Sequence, residues 1–580
     1  MSRQRRKTTS MKKLSLISLI LTIWSGLTLA QKSVVIDYTP LIREYRELIK
    51  TEMSKNNIAG LSIALVDKNG IIWTEGFGYE NIRDSVKATE KSVYCIGSIT
   101  KLFTAAALMQ LAEKNNLNID DPVRKYVPEL KIKSLYGSID SITTRLLITH
   151  HSGFPSDLMG VNSEKESYKN VVRYLNEQYA AFPPSYARIY SNIGYCFLGY
   201  ELEKISNSEY SVYMNKNVFD PLGMRSSFIW SESSSLKNVS RTYDYQKEQK
   251  DEPFLWITPA GGIYSNVNDM ALFIRSWLMD KSPLLKTQTI NSIFTPQNKG
   301  VSFNLGSEYG LGWDLRRTKY GYIAEHGGAT LYYRAQIAVN RQAGLGVIIL
   351  SNSANAGSFT WRASEIVEKA CAIKGSDQVE MPSFNPEAVI DKNIDLAQYQ
   401  GYYGQNMSWF PLIRKDSALI GKPGNDSMAF KLKTSGYFGL AMKQGENWVD
   451  IPGQTFIFTR LKGEKVFLAP AWGVWTVGAK QYPEQNISEI WKKRLGKYKV
   501  VNFNSSSMFS EAELLVAENT IYIQAKTPFS DQSMDMPFEI KSDKLASVLG
   551  TATYSGSMLQ VREDNGTETL YFMGLVLEKI

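Results

Sequence analysis

Apolar residues recur along this chain of 580 residues with two different periods. As far as residue 375, stretches with helical spacing mix with alternating runs; from 396 to 580, short alternating runs dominate. In the first part, Leu41 to Lys50 has the spacing of an amphipathic helix. Leu61 to Val66 and Ile71 to Phe77 flank Asp67-Lys68-Asn69-Gly70, which predicts a β-hairpin. Leu102, Phe103, Ala106, Leu108, Met109, Leu111 and Ala112 predict a buried helix over 98–114, stopped by Asn115-Asn116. Residues 117–130 read as a surface turn with a short helix. Thr143 or Thr144 would cap a further short helix that stops at Ser152-Gly153 before Pro155.

A further helix follows Asn192 and runs through Leu202 and Ile205, with Gly194 and Gly199 for close packing. Residues 258–273 predict a Gly-Gly turn, then a helix capped by Asn268 or Ser265. Residues 309–315 read as a short strand, and Tyr332 to Val339 with Leu345 to Ser351 as two strands joined at Asn340 to Gly344. Residues 376–395 carry two prolines and little periodicity, as a linker does. Beyond them, Thr455 to Thr459, Lys465 to Ala469, Tyr498 to Phe503, Ile521 to Ala525 and Leu570 to Leu577 alternate between turns such as Lys462-Gly463. This predicts an antiparallel β domain or barrel. Y-Q-G-Y-Y-G at 399–404 and L-G-K-Y-K-V at 495–500 would begin two related halves, without a firm repeat between them.

The length suggests two to four domains. A hydrophobic content of 43% and a charged content of 21% are those of a globular protein. The net charge of +9 owes much to residues 1–30, whose Arg3, Arg5, Arg6, Lys7, Lys12 and Lys13 meet no acid; without them it falls to +3. No basic run with interleaved aromatics remains, so nucleic acid is not an expected partner. The same residues read as a signal peptide, with the apolar run Leu14 to Trp24 and Thr28-Leu29-Ala30 before a cut at Gln31. The expected location is periplasmic or secreted, or membrane-anchored if the leader stays; no stable span is expected after cleavage. The expected parts are then the leader 1–30, a first domain 31–375, a linker 376–395 and a β-rich domain 396–580. Cys95, Cys196 and Cys371 do not form a disulfide framework, although Cys95 and Cys196 would pair if their segments met. Three histidines without metal-ligand spacing imply neither a metal nor another cofactor.

Chemistry concentrates in three places. In G-S-I-T-K, 97–101, Ser98 and Lys101 stand one turn apart at the start of the buried helix. S-x-x-K also occurs at Ser10 and Ser234, but only Ser98 opens an apolar helix. A serine hydroxyl needs an adjacent base to become a nucleophile. A lysine acts as that base when neutral, which burial at the positive end of a helix favours. The Ser98 N–H, at the helix start, would face a developing oxyanion. The second place is Y-S-N, 190–192, where a phenol can shuttle protons and an amide can hold a substrate amide. The third is H-G-G-A, 326–329, where Gly327-Gly328 would admit a ligand backbone and the Ala329 N–H would be a second oxyanion donor. His150 and His151 are read as structural.

In this order the three motifs resemble the serine β-lactamase and penicillin-binding-protein superfamily, closest to its class C-like branch. L-L-I-T-H-H-S-G-F-P, P-A-G-G-I-Y-S and Y-G-L-G-W resemble that branch as whole phrases, and the likeness covers roughly 40–355. It implies an α+β fold: a β-lactamase-like antiparallel sheet flanked by helices, with a helical subdomain. The β-rich C-terminal part would follow as a barrel, similar to the lipocalin-like barrels of some of these hydrolases. It implies Ser98 as the acylated nucleophile, Lys101 and Tyr190 sharing base work, Asn192 holding the substrate, and Ser98 and Ala329 N–H groups as the oxyanion hole. His326 and Gly327 stand where β-lactamases usually have K-T. A histidine is a weaker, pH-dependent cation for a substrate carboxylate, and Arg334 would compensate only if it pointed inward. The resemblance therefore implies an exported hydrolase of small-molecule or peptide substrates, including cell-wall-derived ones. These would be peptides, D-amino-acid amides or esters, with a class C-like β-lactamase or a non-catalytic penicillin- or cell-wall-binding protein as alternatives.

Overall fold

The computed structural model describes residues 36–159, 167–230, 239–253, 256–380, 384–405, 408–421, 427–433, 436–471, 474–482, 484–503, 509–526, 533–551, 553–564 and 566–580. The leader reading falls outside these residues, as does part of the linker. No described helix is long and apolar enough to cross a membrane.

The first part is built on one antiparallel sheet of eight strands. They are β1 (Gly60–Asp67), β2 (Ile71–Asn81), β3 (Val86–Lys87), β4 (Glu308–Tyr309), β5 (Asp314–Thr318), β6 (Gly321–Ala329), β7 (Arg334–Asn340) and β8 (Leu345–Ser351). Their order is β3-β2-β1-β8-β7-β6-β5-β4, so strands distant in the chain pair at its centre, Leu61 opposite Ser351. The predicted hairpin and final strand pair are thereby adjacent. Strand side chains alternate between faces. Ile348 and Leu350 accordingly join one core, while Val347 and Ile349 join the other. The second core is covered by α1 (Thr39–Lys55) and α5 (Ala363–Lys374). The first holds α2 (Thr100–Glu113), α3 (Asn192–Ser206) and α4 (Val267–Leu278).

Helix α2 is buried on all sides from Thr100 to Leu111, which is why its sequence shows no polar face. It is preceded by a 3₁₀ turn over Gly97–Ile99, so the predicted helix over 98–114 begins in a tighter winding. Other expectations need correction. The cap of α4 is Asn266, whose side chain accepts from the Asp269 N–H, rather than Asn268 or Ser265. Residues 309–315 are two strand ends around a turn, because Gly312 takes a φ of 89°. The 117–130 segment contains a 3₁₀ turn at Val123–Lys125, yet Val123, Val127 and Leu130 are fully buried. All three cysteines are free and buried, so Cys95 and Cys196 do not pair.

The C-terminal part is two closed eight-stranded barrels rather than one. The first runs from Gly401–Gln405 to Val474–Tyr482 and the second from Gly496–Val500 to Leu575–Lys579. Their first strands coincide with the two phrases read as starts of related halves. Closure leaves no strand edge unpaired. The first barrel is filled by aromatic rings: Phe458 lies 4.8 Å from Phe438, 5.4 Å from Phe430 and 5.7 Å from Phe467 between centroids. These rings join one buried cluster with Tyr399, Tyr403 and Phe410.

Candidate active site

Between Ser92 and Leu111, Ser98 is the one residue that is not buried. Its exposure follows from Gly97, whose φ of 51° swings the chain out of the preceding strand and into the 3₁₀ turn. Lys101 is fully buried. Its Nζ lies 3.0 Å from Ser98 Oγ and donates to Asn192 Oδ1 at 2.7 Å and Ala260 O at 2.8 Å. The Tyr190 ring centroid lies 4.8 Å from the same nitrogen. The structure therefore brings Ser98, Lys101, Tyr190 and Asn192 together from segments 91 residues apart in the chain.

Each partner is held by local structure. Ser191 caps α3 by accepting from the Gly194 N–H at 2.8 Å, which presents Asn192 at the first helical position. Gly199 lets α3 press on Pro259, since a Cβ there would lie 2.2 Å from Pro259 Cγ. That contact carries the turn bearing the Ala260 carbonyl to Lys101. The T-P-A-G-G phrase gave no hint that its carbonyl would hold the lysine. His150 Nδ1 accepts from the Ser191 N–H at 3.0 Å, and its ring lies 4.3 Å from Tyr190. Burial holds His150 well below the ordinary imidazole range, so it is a neutral prop of the 190–192 loop. His151 is likewise structural, within hydrogen-bond distance of Asn304 at 2.6 Å, with its pKa pulled down by burial to about 4.

The third motif closes the site from β6. A Cβ on Gly97 would lie 2.8 Å from the Ala329 nitrogen, and one on Gly328 would lie 2.0 Å from Ile96 O. The glycines thus let β6 meet the start of the Ser98 turn backbone to backbone, with Ser98 and Ala329 at one junction. Strand β5 pairs with β6 only as far as Asp314 opposite Glu325. Residues 326–329 pair with β7 on one side, and among the described residues no strand pairs with their other edge.

Two expectations for this motif change. His326 is buried and its pKa is pulled down to about 4 by desolvation, so it is neutral rather than a pH-dependent cation near neutrality. Its Nδ1 lies 2.7 Å from Gly327 O. Arg334 pairs with Ala329 and lies two residues from Gln336, the partner of Gly327; this is the face opposite His326 and Gly328. Its guanidinium donates to Thr330 O and Tyr333 O, both at 2.8 Å. It does not point inward.

Two charged residues near the site carried no sequence signal. Arg188 donates to Asp314 Oδ1 at 2.9 Å and its guanidinium carbon lies 4.2 Å from the Tyr309 ring and 5.7 Å from that of Tyr190. Asp157, partly buried, accepts from Asn192 Nδ2 at 2.7 Å. Burial pushes its carboxyl up to about 6. Among the described residues, no group of histidines, cysteines and carboxylates is placed to hold a metal.

Comparison with known proteins adds an independent line. The family described as Beta-lactamase matches residues 45–368. Beta-lactamase-like protein 2 of Dictyostelium discoideum is 28% identical over 421 residues, spanning 67% of this chain and 75% of that protein. Protein flp of Staphylococcus aureus (strain N315) is 26% identical over 317 residues, spanning 53% of this chain and 62% of that protein. Among solved structures, that of SurE is 20% identical with a TM-score of 0.57, covering 76% of this chain and 98% of the other. The octameric penicillin-binding protein homologue from Pyrococcus abyssi is 23% identical with a TM-score of 0.51, covering 76% and 99%. Both structural likenesses concern the fold.

Proposed function

The chain belongs to the beta-lactamase family, and from that premise we propose that it is an exported serine hydrolase acting through a Ser98 acyl-enzyme. Its substrates are peptides, D-amino-acid amides or esters. The observation that carries the reading is the 3.0 Å contact between a partly exposed Ser98 and a buried Lys101. A neutral amine has two N–H donors and one lone pair. Asn192 Oδ1 and Ala260 O take two donors, so the third direction of Nζ faces the Ser98 hydroxyl and its proton. That proton passes to Nζ as Oγ bonds to the substrate carbonyl carbon. The oxyanion is met by the N–H groups of Ser98 and Ala329. The leaving amine or alkoxide takes a proton by way of Lys101 and Tyr190. Water then attacks the ester, with the same pair as base, and Oγ regains its proton. The open edge at 326–329 pairs with the substrate backbone.

The neutral His326 and the outward Arg334 weigh against a β-lactamase, whose substrate carboxylate needs a cation at the third motif. The contacts converging on Lys101 support turnover over a purely binding role, since a binding protein has no need to aim a buried lysine at a serine. Export rests on the leader pattern in residues 1–30. The test is intact-protein mass after exposure to a penicillin and to a small activated ester, for wild type and Ser98→Ala. An ester-derived adduct or turnover that needs Ser98 supports the reading. A stable penicilloyl adduct on wild type only would point to penicillin-binding peptidase chemistry. Efficient cephalosporin turnover would move it to a β-lactamase. No Ser98-dependent reaction would favour the binding protein.

A further inference from the structure

Asp157 is a partly buried carboxylate joined to the candidate nucleophile through a file of side chains. Asp157 accepts from Asn192 Nδ2, Asn192 Oδ1 accepts from Lys101, and Lys101 meets Ser98. Yet no cation among the described residues lies within ion-pair distance of Asp157. Lys101 is turned to Ser98, Asn192 and Ala260. Arg188 is held by Asp314, and the guanidinium of Arg334 by its own turn. A carboxylate withdrawn from water without an ionic partner is costly to keep. Here the cost falls at the wall where Asn192 would hold a substrate, and a cation brought by the substrate would offset it.

We infer that Asp157 receives the free amino group of the substrate, so that the enzyme prefers acyl donors carrying an ammonium beside the scissile carbonyl. The inference rests on the serine-hydrolase reading and narrows it to aminopeptidase-like or amino-amide substrates. An α-amino nitrogen stands two bonds, about 2.5 Å, from the carbonyl carbon. The inference seats it against the wall formed by Lys101, Asn192 and Asp157, which hydrogen bonds join to Ser98. A carboxylate there repels an acylated amine's carbonyl oxygen and attracts an ammonium. The other titratable groups facing Asp157 are Lys101, Cys196 and Tyr554. With its pKa raised to about 6, Asp157 is a carboxylate at neutral pH and loses that charge as pH falls through about 6.

The experiment compares alanine p-nitroanilide with its N-acetyl form, each as D and L isomer, on wild type, Asp157→Asn and Asp157→Glu. A neutral fluorophosphonate reports separately whether Ser98 reacts. The readout is the ratio of kcat/KM for free over acetylated substrate, which cancels any loss common to both. The expected ratio is at least about tenfold in wild type, near unity in Asp157→Asn and largely restored in Asp157→Glu. It also falls in wild type, but not in Asp157→Asn, as pH drops through about 6. A wild-type ratio near or below unity, turnover of neither substrate by a fluorophosphonate-reactive enzyme, or an unchanged ratio in Asp157→Asn would overturn the inference. Failure of Ser98 to react with the fluorophosphonate and with every substrate would instead remove the serine-hydrolase reading beneath it.

Discussion

The Oδ1 of Asn192 lies 2.7 Å from Lys101 Nζ, and the same side chain turns its N–H toward Asp157. The amide is thereby fixed in one orientation, acceptor toward the lysine and donor toward the carboxylate. Replacing Asn192 with Leu removes an acceptor from a fully buried lysine and leaves its aim at Ser98 unsupported. The rate of Ser98 acylation by an activated ester should fall about 10²- to 10³-fold. The melting temperature should fall as well, since a buried amine loses a partner. Lys101→Met should abolish acylation with a smaller thermal cost. Rapid-quench acylation with paired melting curves checks both, and an acylation rate in Asn192→Leu within a few-fold of wild type would refute the assigned role.

Gly97 meets two demands at once. Its φ is 51°, and a Cβ would stand 2.8 Å from the Ala329 nitrogen. Gly97→Ala would push β6 from the Ser98 turn and spread the two N–H donors. Losing one oxyanion donor costs about 10²–10³ in rate. The variant should lose kcat while KM changes little, because the donors matter most in the transition state. Steady-state kinetics on an activated ester decides it, and an unchanged kcat would remove the Ser98–Ala329 junction from the mechanism.

Much of this site was legible because its chemistry is written in short motifs at fixed spacing. Ser98 and Lys101 meet because three residues make one helical turn, and Asn192 stands at a capped helix start. What was not legible came from long-range packing. The Ala260 carbonyl reaches Lys101 only because Gly199 admits Pro259. Asp157 follows a loop whose path is set by contacts distant in the chain, and no residue-type pattern marks it. The neutral state of His326 depends on burial, which the strand pattern alone does not give. In the fold, strand alternation revealed a β-rich tail. That it closes twice was hinted only by the phrases at 399–404 and 495–500, since strand pairing is a matter of register between separate segments.

Glu201 offers a stability prediction away from the chemistry. It is fully buried on α3, accepts from Thr144 Oγ1 at 2.9 Å, and its Oε2 has no partner. Burial pushes its carboxyl from 4.5 up to about 8. The folded protein therefore keeps a proton that the unfolded chain releases. The folded state is not penalised below about pH 4.5, and stability falls as pH rises from there toward about 8. Glu201→Gln removes this dependence. Relative to wild type it should be neutral near pH 4.5 and more stable by about 4 kcal/mol near pH 8. Denaturant titrations at the two pH values test the sign, and equal stability differences at both would show that Glu201 does not carry the proton.

The second barrel is latched onto the loop that bears Asp157. The Tyr554 N–H donates to Ser156 Oγ at 3.0 Å, and the Met159 N–H donates to Met573 O at 2.7 Å. Below them, Tyr571 accepts from Gln178 at 2.8 Å and donates to Glu177 at 3.0 Å. The latch fits closely because Gly556 has a φ of 76° and a Cβ there would lie 2.5 Å from Ala181 O. Gly556→Val should prise the barrel from the loop, since Gly556 lies at the junction between them and outside the barrel strands. Amide exchange over 152–159 should then speed up by about tenfold or more, as the hydrogen bonds of Ser156 and Met159 to the barrel are lost. The preference between small and extended substrates should change with it, because the loop walls the site beside Asn192. Exchange mass spectrometry and a substrate-length series measure the two effects. Faster exchange with an unchanged length preference would mean that the barrel braces the loop without setting substrate size.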